Sequence, residues 1–117
     1  MTEKEFRDTL ARVMNVTDRT ESLYSIFDRF NLLSKKERHV LMTEVSPAFS
    51  IALHPFNGKY ETKVLCKCEE SRHVYYFDGE ALQFKGGKAG YDEEGNLDSI
   101  TEDGFGEVIH FQHRVRT

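Results

Sequence analysis

Two cysteines and a histidine fall within eight residues, CKCEESRH at 66–73, in a chain with only two cysteines. Thiolate and imidazole are favoured ligands of tetrahedral Zn²⁺, so Cys66, Cys68, His73 and the more distant His113 form a candidate zinc set. The spacing departs from the usual C-x2-4-C knuckle, and free cysteine also behaves as a small buried hydrophobe. Core packing is therefore the favoured reading, with zinc as the alternative. A disulfide between Cys66 and Cys68 would be strained on a strand. A Cys68–His73 nucleophile pair can be drawn, but no oxyanion hole or third orienting group marks it.

The remaining polar motifs resolve the same way. His110-x-x-His113 would share a metal on a helix, but on a strand the odd separation sends the rings to opposite faces. KGGKAG at 85–90 lacks the spacing of a phosphate-binding loop and reads as a mobile connection. Residues 91–107, YDEEGNLDSITEDGFGE, hold seven acidic and no basic side chains. Setting Gly95 at the sixth position of a calcium loop puts Gly90 first and Thr101 twelfth, which fails at two ligands. A solvated acidic loop that docks a basic protein partner fits better. Its contacts would be Tyr91, Asp92, Glu93, Glu94, Asp98, Glu102 and Asp103. No catalytic residues are assigned.

The elements that must position these groups are marked by caps and by a change of period. Thr2 with Glu5, Asp18 with Glu21, and Ser34 with Glu37 each have the spacing of a capping box. They predict three helices, with apolar stripes at Phe6, Leu10, Val13 and Met14; at Leu23, Ile26, Phe27 and Phe30; and at Val40, Leu41 and Val45. The third helix should end before Pro47. Beyond it Phe49, Ile51 and Leu53 alternate with polar or small residues. Asn57-Gly58 predicts a two-residue hairpin turn that sets Leu53 opposite Thr62, Ile51 opposite Val64 and Phe49 opposite Cys66. A second turn at Asp78-Gly79 would pair Phe77 with Glu80, Tyr75 with Leu82 and His73 with Phe84. Reversal through residues 69–72 would set Cys68 against His73, Cys66 against Tyr75 and Val64 against Phe77. A last strand spans 105–115.

The expected fold is α+β: a single domain, 1–117, with a helical part at 1–46 and a sheet part at 47–117. The three helices would cover one face of an antiparallel meander of about five strands. Residues 33–41, LSKKERHVL, resemble the opening of the helix-turn-helix domain of LuxR-type regulators. The following SPAFSIALHP holds no turn and recognition helix, so no function is carried across.

Composition narrows the function. The formal net charge is −4, with 16 basic and 20 acidic side chains. The charges of 1–47 cancel at eight each, so the whole acidic excess lies in 48–117. No basic stripe is visible, which argues against nucleic-acid binding. No apolar run approaches the ~20 residues of a membrane span. The N-terminus lacks a secretory pattern, so a cytoplasmic setting with reduced thiols is expected. The favoured function is a small non-catalytic interaction or regulatory module, comparable by analogy to inhibitor, immunity-type or phage accessory proteins. The alternative is a metal- or small-ligand-binding domain on the Cys/His face. One sheet edge must be covered, exposed or paired in a homodimer.

Overall fold

The computed structural model describes residues 1–53, 58–68, 70–103 and the backbone of 108–110. It is an α+β architecture. Helices α1 (Glu3–Val13), α2 (Leu23–Asn31) and α3 (Lys35–Phe49) precede strands β1 (Lys63–Cys68), β2 (His73–Asp78), β3 (Gln83–Tyr91), β4 (Leu97–Glu102) and the short β5 (Val108–His110). The strands lie in sequence order in one antiparallel sheet. No helix among the described residues is long and apolar enough to cross a membrane.

Two of the three caps form where the spacing places them. Thr2 Oγ1 accepts from the Glu5 amide at 3.1 Å, and Ser34 and Glu37 make a complete capping box. The expected start of α2 at Asp18 is corrected. The Asp18 carboxylate accepts instead from the Thr20 amide and hydroxyl, at 2.8 and 2.6 Å, and Glu21 pairs with Arg29. Ser22 becomes the cap, accepting from the Ser25 amide at 3.1 Å.

Helix α3 departs further from expectation. Its buried face is Arg38, Met42, Val45 and Phe49, while Val40 is 66% exposed. The Arg38 guanidinium is drawn inward by the carbonyls of Leu33, Asn31 and Ala81, at 2.5, 3.2 and 3.4 Å. The helix also runs through Pro47, past the boundary set at residue 46. A proline inside a helix costs about 3 kcal/mol, but continuing the helix buries Phe49 against Phe6, ring centroids 5.3 Å apart. Ser50 then ends it in a left-handed conformation. The Lys63 ammonium lies 3.4 and 3.2 Å from the Phe49 and Ser50 carbonyls, a cation at the negative end of the helix dipole.

Phe49 is therefore helical, and the strand expected at 49–53 shrinks to one bridge, Leu53 with Tyr60 rather than with Thr62. Asn57, on which that hairpin was built, lies outside the described residues, as do Phe56 and His54.

In the sheet, Cys68 pairs with His73 and Cys66 with Tyr75, as the spacing predicts, but Leu65 bulges and Val64 faces Tyr76. The bulge moves Val64 to the other face of the sheet, where it packs with Val74, Tyr76, Ala89 and Ile100.

The β2–β3 turn is longer than predicted. Phe77 pairs with Phe84 and His73 with Lys88. Asp78 Oδ1 gathers the Glu80 and Ala81 amides at 2.9 and 3.2 Å, and Leu82 takes a left-handed φ of 58°. Gly79 answers to a different demand: a Cβ there would lie 1.7 Å from the Tyr60 carbonyl oxygen. Four turn residues replace two, so KGGKAG lies inside β3 and is not a mobile connection.

The helices cover the face carrying Cys66, Tyr75, Phe77 and Phe84. Phe84 is the hub of an aromatic cluster. It stacks on Phe27 at 5.6 Å and meets Phe30 at 4.9 Å and Phe77 at 5.1 Å. Aromatic pairs prefer such stacked or edge-on arrangements and add about 1 kcal/mol each beyond area burial.

Candidate functional site: an acidic cleft at the base of the β3–β4 hairpin

The acidic segment is not one loop. Tyr91 closes β3, and Asp92–Asn96 form a tight turn in which Asp92 Oδ1 accepts from the Glu94 and Asn96 amides at 2.9 and 2.8 Å. This turn fixes the backbone that presents the exposed Glu93 and Glu94. Strand β4 then carries Asp98 and Glu102 away from the turn, and Asp103 follows at the hairpin base. At about 3.4 Å per residue, Glu94 and Asp103 are on the order of 20–30 Å apart. The seven partner residues read from sequence thus divide into a tip (Tyr91, Asp92, Glu93, Glu94, Asp98) and a base (Glu102, Asp103).

The base is where the molecule is concave. Strand β4 pairs with β3 only as far as Gly87 opposite Glu102, and the Asp103 amide donates to the Gly86 carbonyl at 3.0 Å. Beyond that point α2 takes over the β3 edge. Asn31 Oδ1 accepts from the Phe84 amide at 3.0 Å, and Asn31 Nδ2 donates to the Phe84 carbonyl at 2.8 Å. One side chain thereby supplies both backbone partners that a neighbouring strand would have supplied.

Between α2 and the departing β4 lies a cleft of about 260 Å³, lined by Tyr24, Asp28, Asn31, Lys85, Glu102 and Asp103 among others. Phe27 and Phe84 contribute its apolar wall.

At the rim, Tyr24, His73 and Asp103 converge. The Tyr24 hydroxyl donates to Asp103 Oδ2 at 2.7 Å, and His73 Nε2 lies 2.8 Å from the same oxygen and 3.1 Å from the Tyr24 oxygen. This network assigns the Nε2–H form, with nitrogen and hydroxyl both donating to the carboxylate. Gly86 makes room for it: an added Cβ would sit 2.4 Å from the Tyr24 oxygen and 3.2 Å from His73 Cε1. Burial pushes the Asp103 carboxyl up, but the hydrogen bonds from His73 and Tyr24 outweigh it and hold it below its usual 3.8. Burial, followed by the hydrogen bond to Asp103, pushes the Tyr24 phenol well above its ordinary range. At neutral pH the cluster therefore presents a carboxylate held by two donors. The Ser71 hydroxyl accepts from the His73 backbone amide at 3.4 Å and is not bonded to the imidazole. The arrangement can bind a cationic group.

Sequence reasoning singled out His73 and Asp103 for two different sites, and the structure brings them together. It missed Tyr24, which sits off the apolar stripe of α2. The available signal was Tyr24, Phe27 and Asn31 at i, i+3 and i+7, one helical face, with a glycine pair at 86–87 for that face to approach.

The Cys/His set has other partners. Cys68 Sγ lies 3.6 Å from Glu3 Oε2, and the Tyr75 hydroxyl donates to Glu3 Oε1 at 3.2 Å. Cys66 is buried, and burial, with the Cys68 sulfur beside it, pushes its thiol up to about 11. Cys68 is likewise raised, by burial first and then by Glu3. Neither is a thiolate at neutral pH. His113 lies outside the described residues. Among the described residues, no group of three or more His, Cys, Asp or Glu side chains is placed to hold a metal ion. Comparison with protein-family models, curated proteins and solved structures finds no match to the chain.

Proposed function

We propose that the chain is a non-catalytic protein-interaction module whose β3–β4 hairpin docks a basic partner surface. The base cleft receives a lysine or arginine side chain of that partner. The observation that carries this reading is the pairing of an aromatic wall, the exposed Tyr24 ring backed by the buried Phe27 and Phe84, with an ionised carboxylate, Asp103, at the mouth of one cleft. That combination suits a cation on an aliphatic stem, which packs its methylenes on apolar surface while its head meets charge. Among the lining charges Lys85 is already paired with Glu102, which leaves the Asp28 and Asp103 carboxylates to meet the cation. The rigid acidic turn at the far end adds long-range attraction, and a pre-formed surface lowers the entropic cost of association. In a cytoplasmic setting the two raised thiols stay reduced and unreactive. Inhibitor, immunity-type and phage accessory proteins act through contacts of this kind.

The test is titration with an arginine- and lysine-rich peptide, followed by NMR shifts at two salt concentrations. The triple variant Glu93→Gln, Glu94→Gln, Asp103→Asn should bind at least about tenfold more weakly, the loss expected for one charged hydrogen bond. Raising the salt should weaken the wild-type protein more than the variant. Equal affinity of the two proteins would remove the hairpin from the interface.

A further inference from the structure

The N-terminal charges that cancel in the sequence do not cancel in space. Helix α1 and the loop after it enclose a groove of about 430 Å³, lined by Lys4, Arg7, Asp8, Arg12, Thr17 and Arg19 with two apolar residues. Four cations face one carboxylate there, on a chain whose net charge is −4.

Arg7 is built into the wall. Its Nε donates to the Glu21 carbonyl at 3.1 Å and its Nη2 to the Asp18 carbonyl at 2.6 Å. Its Nη1 meets Asp8 at 3.0 Å, and the side chain is only 16% exposed. A guanidinium has five N–H donors, so two remain after these bonds. Of the nearby acids, Asp18 still acts on Arg7 through its charge, but neither it nor Glu21 lines the groove. Asp18 accepts from Thr20 and Glu21 pairs with Arg29. Lys4, Arg12 and Arg19 make no ion pair among the described residues.

We infer that this groove is a binding site for a small phosphate-bearing anion. A buttressed guanidinium beside two exposed ones suits phosphate oxygens, which arginine recognises through paired N–H bonds. A concavity lined by one sign of charge focuses that potential. The volume falls within the ~300–1,000 Å³ usual for small-ligand sites. A long nucleic acid is disfavoured because the acidic hairpin and the net negative charge repel it outside the groove. Asp8, on the rim, can accept from a hydroxyl or amine on the non-phosphate part of the ligand. The inference is independent of the hairpin reading.

The experiment is calorimetric or NMR titration of the full chain with pyrophosphate and with inorganic phosphate at low salt, with a short DNA duplex as the third arm. Saturable pyrophosphate binding is expected, centred on amides of α1 and of residues 16–20. Arg12→Gln with Arg19→Gln, both exposed, should weaken it by about tenfold or more with an unchanged melting temperature. Arg7→Lys keeps a charge but loses the fork, and should weaken pyrophosphate more than it weakens inorganic phosphate. Absence of saturable binding, binding unaffected by the double substitution, or tighter binding to the duplex than to pyrophosphate would each overturn the assignment.

Discussion

Glu102 and Asp103 are neighbours in sequence, yet they belong to opposite kinds of polar cluster. Glu102 joins Asp78 around Lys85, whose ammonium lies 3.0 Å from Asp78 and 3.4 Å from Glu102. These three side chains are 11–18% exposed and bridge β2, β3 and β4 on the face away from the helices. Asp103 meets Tyr24 and His73 instead, and 47% of its side chain remains exposed. The first cluster has enclosed its charge; the second has a carboxylate with donors on one side and solvent on the other. Both cross between elements and so bear on stability, but only the open one has capacity left for a ligand. A half-buried charge pair is expensive to break, whereas an exposed one contributes little.

Substitution at Lys85 should break the comparison most visibly. Lys85→Met leaves Asp78 and Glu102 facing each other without a counter-charge, and a loss of about 3 kcal/mol is expected in urea unfolding, the lower range for breaking a buried pair. Burial pulls the Lys85 amine down, but Asp78 and Glu102 outweigh it and hold it above its usual 10.5. This contribution is therefore complete below pH 10.5 and fades as the pH rises through the raised value.

Gly86→Ala should have an intermediate effect. The new methyl would lie 2.4 Å from the Tyr24 oxygen, so the ring must tilt and its bonds to Asp103 and His73 lengthen, and a loss of about 1 kcal/mol is expected. The resonances of His73 should shift while those around Lys85 stay in place. Matching shifts at both clusters would show that they act as one network.

Asp103→Asn should have the smallest effect on stability and the clearest pH signature. The folded carboxyl sits below 3.8, so its stabilising contribution is present above that value and is lost as the pH falls through the lowered one. Wild type and variant should therefore converge in melting temperature in acid, and differ by a constant amount above about pH 4–5. A difference that persists in acid would place the effect in packing rather than charge.

The helices were legible because capping and apolar period are local signals. Ser34 with Glu37 is a complete box, and the stripe Leu23, Ile26, Phe27, Phe30 is the buried face of α2. The Cys68–His73 register was legible because four turn residues fix it. Features decided by distant partners were not legible. Arg38 is buried because carbonyls from the end of α2, the loop after it and the β2–β3 turn converge on it, and nothing in KKERHVL announces that. Gly79 carried an apparent two-residue turn signal, but its smallness serves the Tyr60 carbonyl. The basic groove was hidden because its cations alternate with acids along the chain; α1 lines up Lys4, Arg7 and Arg12, and the turn after it adds Arg19.

Asn31 decides where the hairpin opens. Its carboxamide satisfies both the amide and the carbonyl of Phe84, so the β3 edge is already closed two residues beyond the last bond to β4, at Gly86. Aspartate there would lack the donor, and alanine would leave a bare edge on which another chain could template. The mouth of the cleft, its width and its immunity to strand-by-strand growth thus trace to a single carboxamide.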